Sequence, residues 1–385
     1  MVFRSRDARE REAADKAVAD SLPVGMRIAG AWSWRLLVIA GVVAVLIFLI
    51  IQLRLIVIPL LVAIVLSALL VPFCNWLQKH RWPKALAVAV TEVGVLAIIA
   101  GLVTLVIQQI RGGFGPLRDA TTERYFELKQ LLLESPLHLT DTDINKFVTD
   151  LVAALRDDSD ALVSGALSVG ATTGHVLAGV LLALFATLFI LIDGHRIFLW
   201  IARLFPRRAR PAVVGAGEAG WVTLTTFVKV QIFVAFVDAV GIGVGAWILG
   251  LFYGGFPLVI PIAVAVFLGS FIPIIGAVAT GALAVFVALV YFGPVPALIM
   301  LGIVILVQQV EGHVLQPLVM GTAVKIHPLA VVVAVASGGF IAGIPGAFFA
   351  VPTVAVLNVV VGYIARAEWR TTPHPTPQDV IHDGR

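Results

Sequence analysis

Two acids bound a long uncharged tract in this 385-residue chain: Asp238 stands just before it and Glu311 just after it. Asp238 lies in the middle of an apolar run, FVAFVDAVGIGVGAW. An acid at the bilayer centre costs at least about 2.5–3.5 kcal/mol on insertion scales, so it must face protein or water. There it can bind a cation, carry a proton or accept a hydrogen bond from a substrate. The structural alternative is an ion pair with Lys229, a little over two helical turns earlier, or a bond across helices. Glu311 ends another apolar run, next to Gly312 and among Gln308, Gln309, His313 and Gln316. A carboxylate among amides can hold a polyhydroxylated ligand or trade a proton; the plainer reading is an interfacial acid at a helix end. His313 and His327 belong to the residue type that exchanges protons in the physiological range. Single histidines at a membrane face are more often interfacial. Glu92, beside Thr91 inside a third apolar run, has basic groups at the membrane edge as its structural alternative.

Elements able to hold these groups follow from composition. The chain is 60% hydrophobic and 13% charged, with mean hydropathy +1.02. No soluble domain keeps that balance, so the fold class is an all-α polytopic membrane protein. The apolar runs are continuous rather than alternating, which excludes a β-barrel. The single Cys74 excludes an intramolecular disulfide. The first apolar run, from about Leu36, is long enough to span and has no small-residue cleavage site after it, so it is not a signal peptide. There is no HExxH, no GxSxG, no phosphate-binding glycine loop and no Cys/His pair at zinc spacing. The chain therefore reads as a non-enzyme with no cofactor and no metal site. The net charge of +4 sits mostly at helix ends and reads as topology, with no nucleic-acid partner.

The run from Pro328 to Ala365 is uncharged. As a straight helix it would measure about 57 Å, against a hydrocarbon core of about 30 Å. It must bend or break, and Gly338-Gly339 and Gly343-Ile344-Pro345-Gly346 mark the place. Residues 256–292 hold a second copy of the device. Pro257-Leu258, Ala263-Val264, Ile272 to Gly276 and Ala277 align with Pro328-Leu329, Ala334-Val335, Gly343 to Gly346 and Ala347, given a one-residue gap. Pro273 and Gly276 are thus the counterparts of Pro345 and Gly346. Two interrupted apolar segments at corresponding places point to the substrate site of a secondary transporter.

The domains read as follows: residues 1–35 a cytoplasmic polar arm, 36–107 three membrane helices, 108–170 an extracytoplasmic amphipathic helical insert, 171–365 a transport core, and 366–385 a disordered cytoplasmic tail. The core carries two broken segments, 256–292 and 328–364. About eight membrane elements result. Within the insert, Ile144, Phe147, Val148, Leu151, Val152 and Leu155 form one helical face, and an earlier helix spans about Asp119 to Glu134. Basic residues cluster at the N-terminus, at Lys79, Arg81 and Lys84, and from Arg196 to Arg210, so both termini lie in the cytoplasm. Asp193-Gly194 is expected to end the fourth helix, and a surface helix from Pro211 to Thr225 to precede the fifth span.

The stretch from Gln308 to Pro352 resembles the signature of the AI-2E transporter family, which includes autoinducer-2 exporters. The residues that carry the resemblance are Glu311-Gly312, Pro317, Gly321, His327-Pro328-Leu329, Gly338-Gly339, Gly343, Gly346 and Val351-Pro352. It extends through FIPIIGA at Phe271 to Ala277 and VDAVGIG at Val237 to Gly243 to Asp193-Gly194; VDAVGIG is similar to the actinobacterial branch. The family commonly has Gly where this chain has Val230, just before Gln231, and Asn where it has His313. The resemblance implies a bacterial inner-membrane carrier that forms homo-oligomers, pentamers favoured, and exports a small polar molecule such as an autoinducer-2-like quorum-sensing signal. Asp238, Glu311, Gln308, Gln309, Gln231 and His313 are then the candidate substrate or ion-coupling residues, with H⁺ or Na⁺ as the ion. Membrane lipids are the remaining partners. Some similar members are assigned sodium/proton antiport, which is the alternative here; a membrane scaffold of envelope machinery is another.

The basic clusters make the orientation testable. In a Cys74→Ala background, Asp141→Cys is expected to react with an impermeant maleimide in intact cells, and Arg208→Cys to stay unlabelled. The opposite pattern inverts the topology.

Overall fold

The computed structural model describes residues 24–133, 169–272, 275–313, 327–376 and 379. The amphipathic face at 144–155, Gln316, Pro317, Gly321 and Pro273 lie outside them. The described residues are helical, without a strand, and the chain forms an all-α polytopic membrane protein. It divides into two compact units, residues 1–57 and 58–385. The first contains α1 (Val24–Gln52), whose side chains are almost all exposed, as a lipid-facing helix requires. A one-residue link at Leu53 leads into α2 (Arg54–Lys79).

The second unit continues with α3 (Lys84–Leu133), α4 (Val169–Arg203) and α5 (Arg210–Tyr253). Then come α6 (Val259–Gly269), α7 (Ile275–Phe292), α8 (Pro294–Val310) and α9 (Pro328–Ala365). Seven of these helices, all but α6 and α7, are long and apolar enough to cross a membrane. In hydrocarbon every backbone group must be satisfied within the protein, which is why the apolar runs are helices. Buried hydroxyls obey the same rule. Thr91, Thr187 and Thr223 donate to the carbonyls of Ala87, Ala183 and Ala219, one turn back.

Several boundaries differ from those read in the sequence. α1 begins at Val24, inside the expected polar arm. α3 runs unbroken past residue 107, joining the third span to the helix expected from about Asp119. Asp193 does not end α4 but kinks it, with non-helical φ −129° and ψ 18°. The Lys84 ammonium donates to the Ile192 carbonyl at this kink, so the local break is met without ending the helix. The expected surface helix and fifth span are one 44-residue helix, α5. No proline interrupts it after Pro211, and Thr225 donates back to the carbonyl of Trp221 instead of capping a new start. The tail expected to be disordered from 366 is tied down as far as it is described. Tyr363 Oη donates to the Thr372 carbonyl at 2.5 Å, His374 Nδ1 lies 2.9 Å from Glu218 Oε2, and Trp369 packs against the cluster of Ala216, Ala219 and Tyr363.

α5 is the spine of the second unit. Its C-terminal half packs on α6 and α8 through Ile242, Ala246, Ile262, Val266, Met300 and Val304, and α7 joins the same core through Ala284 and Val287. Its N-terminal half packs on α9 and α2 through Leu224, Phe227, Val228, Val335, Val351 and Ala68. Close approach comes from small residues, the usual device where lipid removes the hydrophobic drive between helices. A Cβ on Gly241 or Gly245 would meet Val307 or Ile303 of α8 at 3.0 and 2.4 Å.

Both broken segments are hairpins, and they close in the same way. α6 has 11 residues, about 16 Å, too short to cross. α7 returns from it, and the two helices touch where Gly269 meets Gly276; a Cβ on Gly276 would lie 1.8 Å from the Gly269 carbonyl oxygen. α9 breaks at Ala342 and Gly343, where Gly343 has φ 65° and ψ −147°, a region open in practice to glycine alone. Its arms touch where Gly338 meets Gly346, a Cβ on Gly346 lying 2.0 Å from the Gly338 carbonyl oxygen. In a straight helix those residues would be about 12 Å apart, so α9 folds back on itself.

The glycine pairs thus set backbone contact rather than only a bend. Gly276→Ala and Gly346→Ala are each expected to lower the melting temperature of purified protein by several degrees. Gly302→Ala, with nothing within 4 Å of its Cβ, is expected to leave it unchanged or raise it slightly. Equal melting for all three would refute the contact assignment.

Candidate functional site

The candidate site sits half-way along α5, where the tip of the first hairpin reaches it. Gln231 and Asp238 are two turns apart on one face, and both are buried, Asp238 to 1% exposure. Ser270, at the end of α6, lies between them. Gln231 Nε2 donates to the Ser270 carbonyl at 2.7 Å, and Ser270 Oγ stands 3.2 Å from Asp238 Oδ2. A hairpin tip inside the protein exposes carbonyls that helix geometry cannot satisfy, and Gln231 supplies the missing donor. The start of α6 is met similarly. Leu258 offers no side-chain cap, and Gln109 of α3 accepts the Ile260 amide at 3.2 Å.

Ser270 has one hydroxyl proton and two acceptors in range, Asp238 Oδ2 and the Val266 carbonyl at 2.8 Å. With Asp238 ionised, the hydroxyl must choose between them. With Asp238 protonated, the acid can donate to Ser270 while Ser270 donates to Val266. Asp238 Oδ1 is buried and has no hydrogen-bond partner among the described residues. The carboxyl group therefore has one oxygen engaged by the hairpin tip and one left to bind a proton or a cation.

The second hairpin reaches the same place through apolar contacts. Phe271, next to Ser270, stacks on Phe348 with centroids 5.0 Å apart and planes at 20°. Ile272 packs against the core cluster to which Val335, Ala347 and Val351 of α9 belong. Gly338, Gly339, Gly346 and Pro345 are half-buried at or near this second tip, with Gly343 exposed at its turn.

The other sequence candidates are placed less closely. Glu311 is half-buried where α8 gives way to a π turn, and its carboxylate is within electrostatic reach of Asp238. Gln308 is half-buried and its carbonyl accepts the Glu311 amide; Gln309 is exposed. His313 is exposed and its Nδ1 lies 3.3 Å from the carbonyl of Gln309. Asp238 bonds to Ser270, and among the described residues not to Gln308, Gln309 or His313. Nor does Lys229 pair with Asp238: it is exposed on another face of α5. His327 caps α9, its Nδ1 accepting the Leu329 amide. Glu92 is buried to 8% exposure in α3 beside Thr91. Sequence reasoning missed Ser270 and Gln109. Ser270 had a signal, a lone hydroxyl directly before the Gly/Pro knot; Gln109 had none, because its partner is 151 residues away.

The AI-2E family transporter model matches residues 36–366. The chain belongs to the AI-2E transporter family. Among its relatives is MT0215 of Mycobacterium tuberculosis, a candidate transport protein 41% identical over 86% of this chain and 89% of its own. YueF of Bacillus subtilis is 26% identical over 78% and 82%, and YhhT of Escherichia coli K12 is 22% identical over 79% and 83%. Their names assign transport without a substrate. The AI-2E match takes in α5, both hairpins and the acid between them, so this member is a multi-pass membrane transport protein.

The bonds at Ser270 predict a graded result. Ser270→Ala keeps the carbonyl that Gln231 binds and removes only the hydroxyl, so it is expected to fold and to alter pH dependence. Gln231→Leu leaves a buried carbonyl without its donor and is expected to cost about 1–3 kcal/mol of stability. Thermal unfolding that ranks Ser270→Ala as the more damaging would reverse the assignment.

Proposed function

We propose that this protein exports a small polar molecule, driven by an ion gradient or by the gradient of the molecule itself. One observation carries the reading. Asp238 is wholly buried on α5 beside the tip of one hairpin, whose neighbouring phenyl ring stacks on the other hairpin, and one carboxylate oxygen has no protein partner among the described residues. Two hairpins that meet at an ionisable group can change their contact when that group gains or loses a proton. The cargo is autoinducer-2-like in being small and polar. The carrier works as a homo-oligomer in the bacterial inner membrane, with both termini cytoplasmic.

A second reading, exchange of Na⁺ or Li⁺ for protons, draws on the approach of Glu311 to Asp238. Two acids near each other suit a monovalent cation that competes with protons. A dye-reported proton flux on adding Na⁺ to reconstituted vesicles separates the readings: it is expected only for the antiporter.

Profiling the medium of cells with and without the protein names the cargo, whose flux is then followed in vesicles. Asp238→Asn and Glu311→Gln preserve size and remove charge. One of them is expected to abolish pH-dependent flux while leaving cargo exchange between equal pools. Full pH-dependent transport in both variants would leave a facilitator with structural acids.

A further inference from the structure

A cavity of about 440 Å³ lies between α2 and α5, away from the acid described above. Such volumes fall within the range of small-molecule sites, roughly 300–1,000 Å³. α5 presents Trp221, Thr225 and Lys229 to it, spaced four apart on one face. At about 100° per residue, Lys229 is roughly opposite Gln231 and Asp238, and Trp221 is about a quarter turn from them. α2 presents Asn75, Trp76 and Lys79. Ala68, which also lines it, is packed into the α5–α9 core, so the inner end is closed by protein.

The lining is rich in donors and contains no acid. Lys79 and Lys229 supply two ammonium groups, and neither has an ion-pair or hydrogen-bond partner among the described residues. The indole N–H groups of Trp76 and Trp221 and the Asn75 amide add further donors. Trp76 is held in place by His80, whose ring lies 4.5 Å away and whose Nδ1 is 2.8 Å from the Trp76 carbonyl oxygen. Thr225 already spends its proton on its own helix and offers acceptor lone pairs only. Lysines at a helix end commonly reach for the membrane interface, but here two from different helices line one concavity together with two indole rings.

We propose that this cavity is a binding site for an organic anion: a phosphate or carboxylate held by Lys79 and Lys229, attached to a flat or apolar body lying against Trp76 and Trp221. The same chemistry is offered by a soluble metabolite and by the headgroup of an anionic phospholipid. The site is independent of the acid on the far face of α5, so it stands whether or not that acid is ion-coupled.

The test uses the full chain in nanodiscs of phosphatidylcholine, titrated calorimetrically with phenyl phosphate, inorganic phosphate, phenol and benzylamine. Phenyl phosphate is expected to bind most tightly, and benzylamine not at all. Lys79→Gln and Lys229→Gln are each expected to weaken it about ten-fold or more, the scale of one charged hydrogen bond, and Lys229→Arg to restore most of the loss. Size-exclusion profiles and melting temperatures matching wild type confirm that the variants are folded. A second set of nanodiscs, of equal parts phosphatidylcholine and phosphatidylglycerol, identifies the source. Unchanged phenyl phosphate binding there supports a soluble anion. Competition, with lipid retention seen by native mass spectrometry and lost in both glutamine variants, supports a lipid headgroup. If neither phenyl phosphate binding nor phosphatidylglycerol retention depends on the two lysines, the proposal is overturned.

Discussion

A chain that turns back inside a membrane must hold its two arms together at the turn, and this protein does so at both hairpins by bringing backbones into contact. Gly269 against Gly276 and Gly338 against Gly346 let two helical arms approach until a single Cβ would collide with a carbonyl oxygen. Lipid offers no hydrophobic reward for packing helices, so van der Waals contact at small residues must supply the cohesion. The glycine contacts therefore determine where each tip lies. They place Ser270 against Gln231 and Asp238, and Phe271 against Phe348.

α5 makes this placement possible by being longer than a membrane crossing. Its 44 residues, about 66 Å, let one half serve the first hairpin and the other half the second. Two separate helices would leave the angle between the hairpins to a loop. One continuous helix fixes the offset between their docking faces by its own rise per residue, and the polar pair Gln231 and Asp238 falls between the two halves.

The fold was legible because its signals are local. Continuous apolar runs, charged boundaries and the Gly/Pro knots identify the membrane elements and both breaks. Helix continuity was less legible: Asp193-Gly194 looks like a terminus, yet Lys84, distant in sequence, meets the Ile192 carbonyl at the kink. The acids Asp238 and Glu311 stood out because charge is rare in such a tract, and Gln231 stood out only through family resemblance. Ser270 and Gln109 act by contacting backbone groups of other helices, and neither periodicity nor composition encodes such partners. In the sequence the hairpin glycines mark only where the apolar runs bend or break. Only Gly343 among the hairpin glycines has a positive φ; Gly269, Gly276, Gly338 and Gly346 act through the space they leave.

The two hairpins repeat in backbone but differ in polarity, and this asymmetry limits how Asp238 can act. The first tip carries Ser270 and is held to α5 by a side-chain amide and a carboxyl oxygen. The described second tip, around Ala342 and Gly343, has no side chain able to make such bonds, and it meets the first through Phe348 on Phe271 and through contacts with Ile272. A proton arriving at Asp238 would change the bonding of Ser270 directly, and would reach the second hairpin through the residues that follow Ser270 or through α5 itself, which packs on α9. Any coupling between ion and cargo that involves the second hairpin must then pass through packed apolar contacts, along Phe271 and Ile272 or along α5.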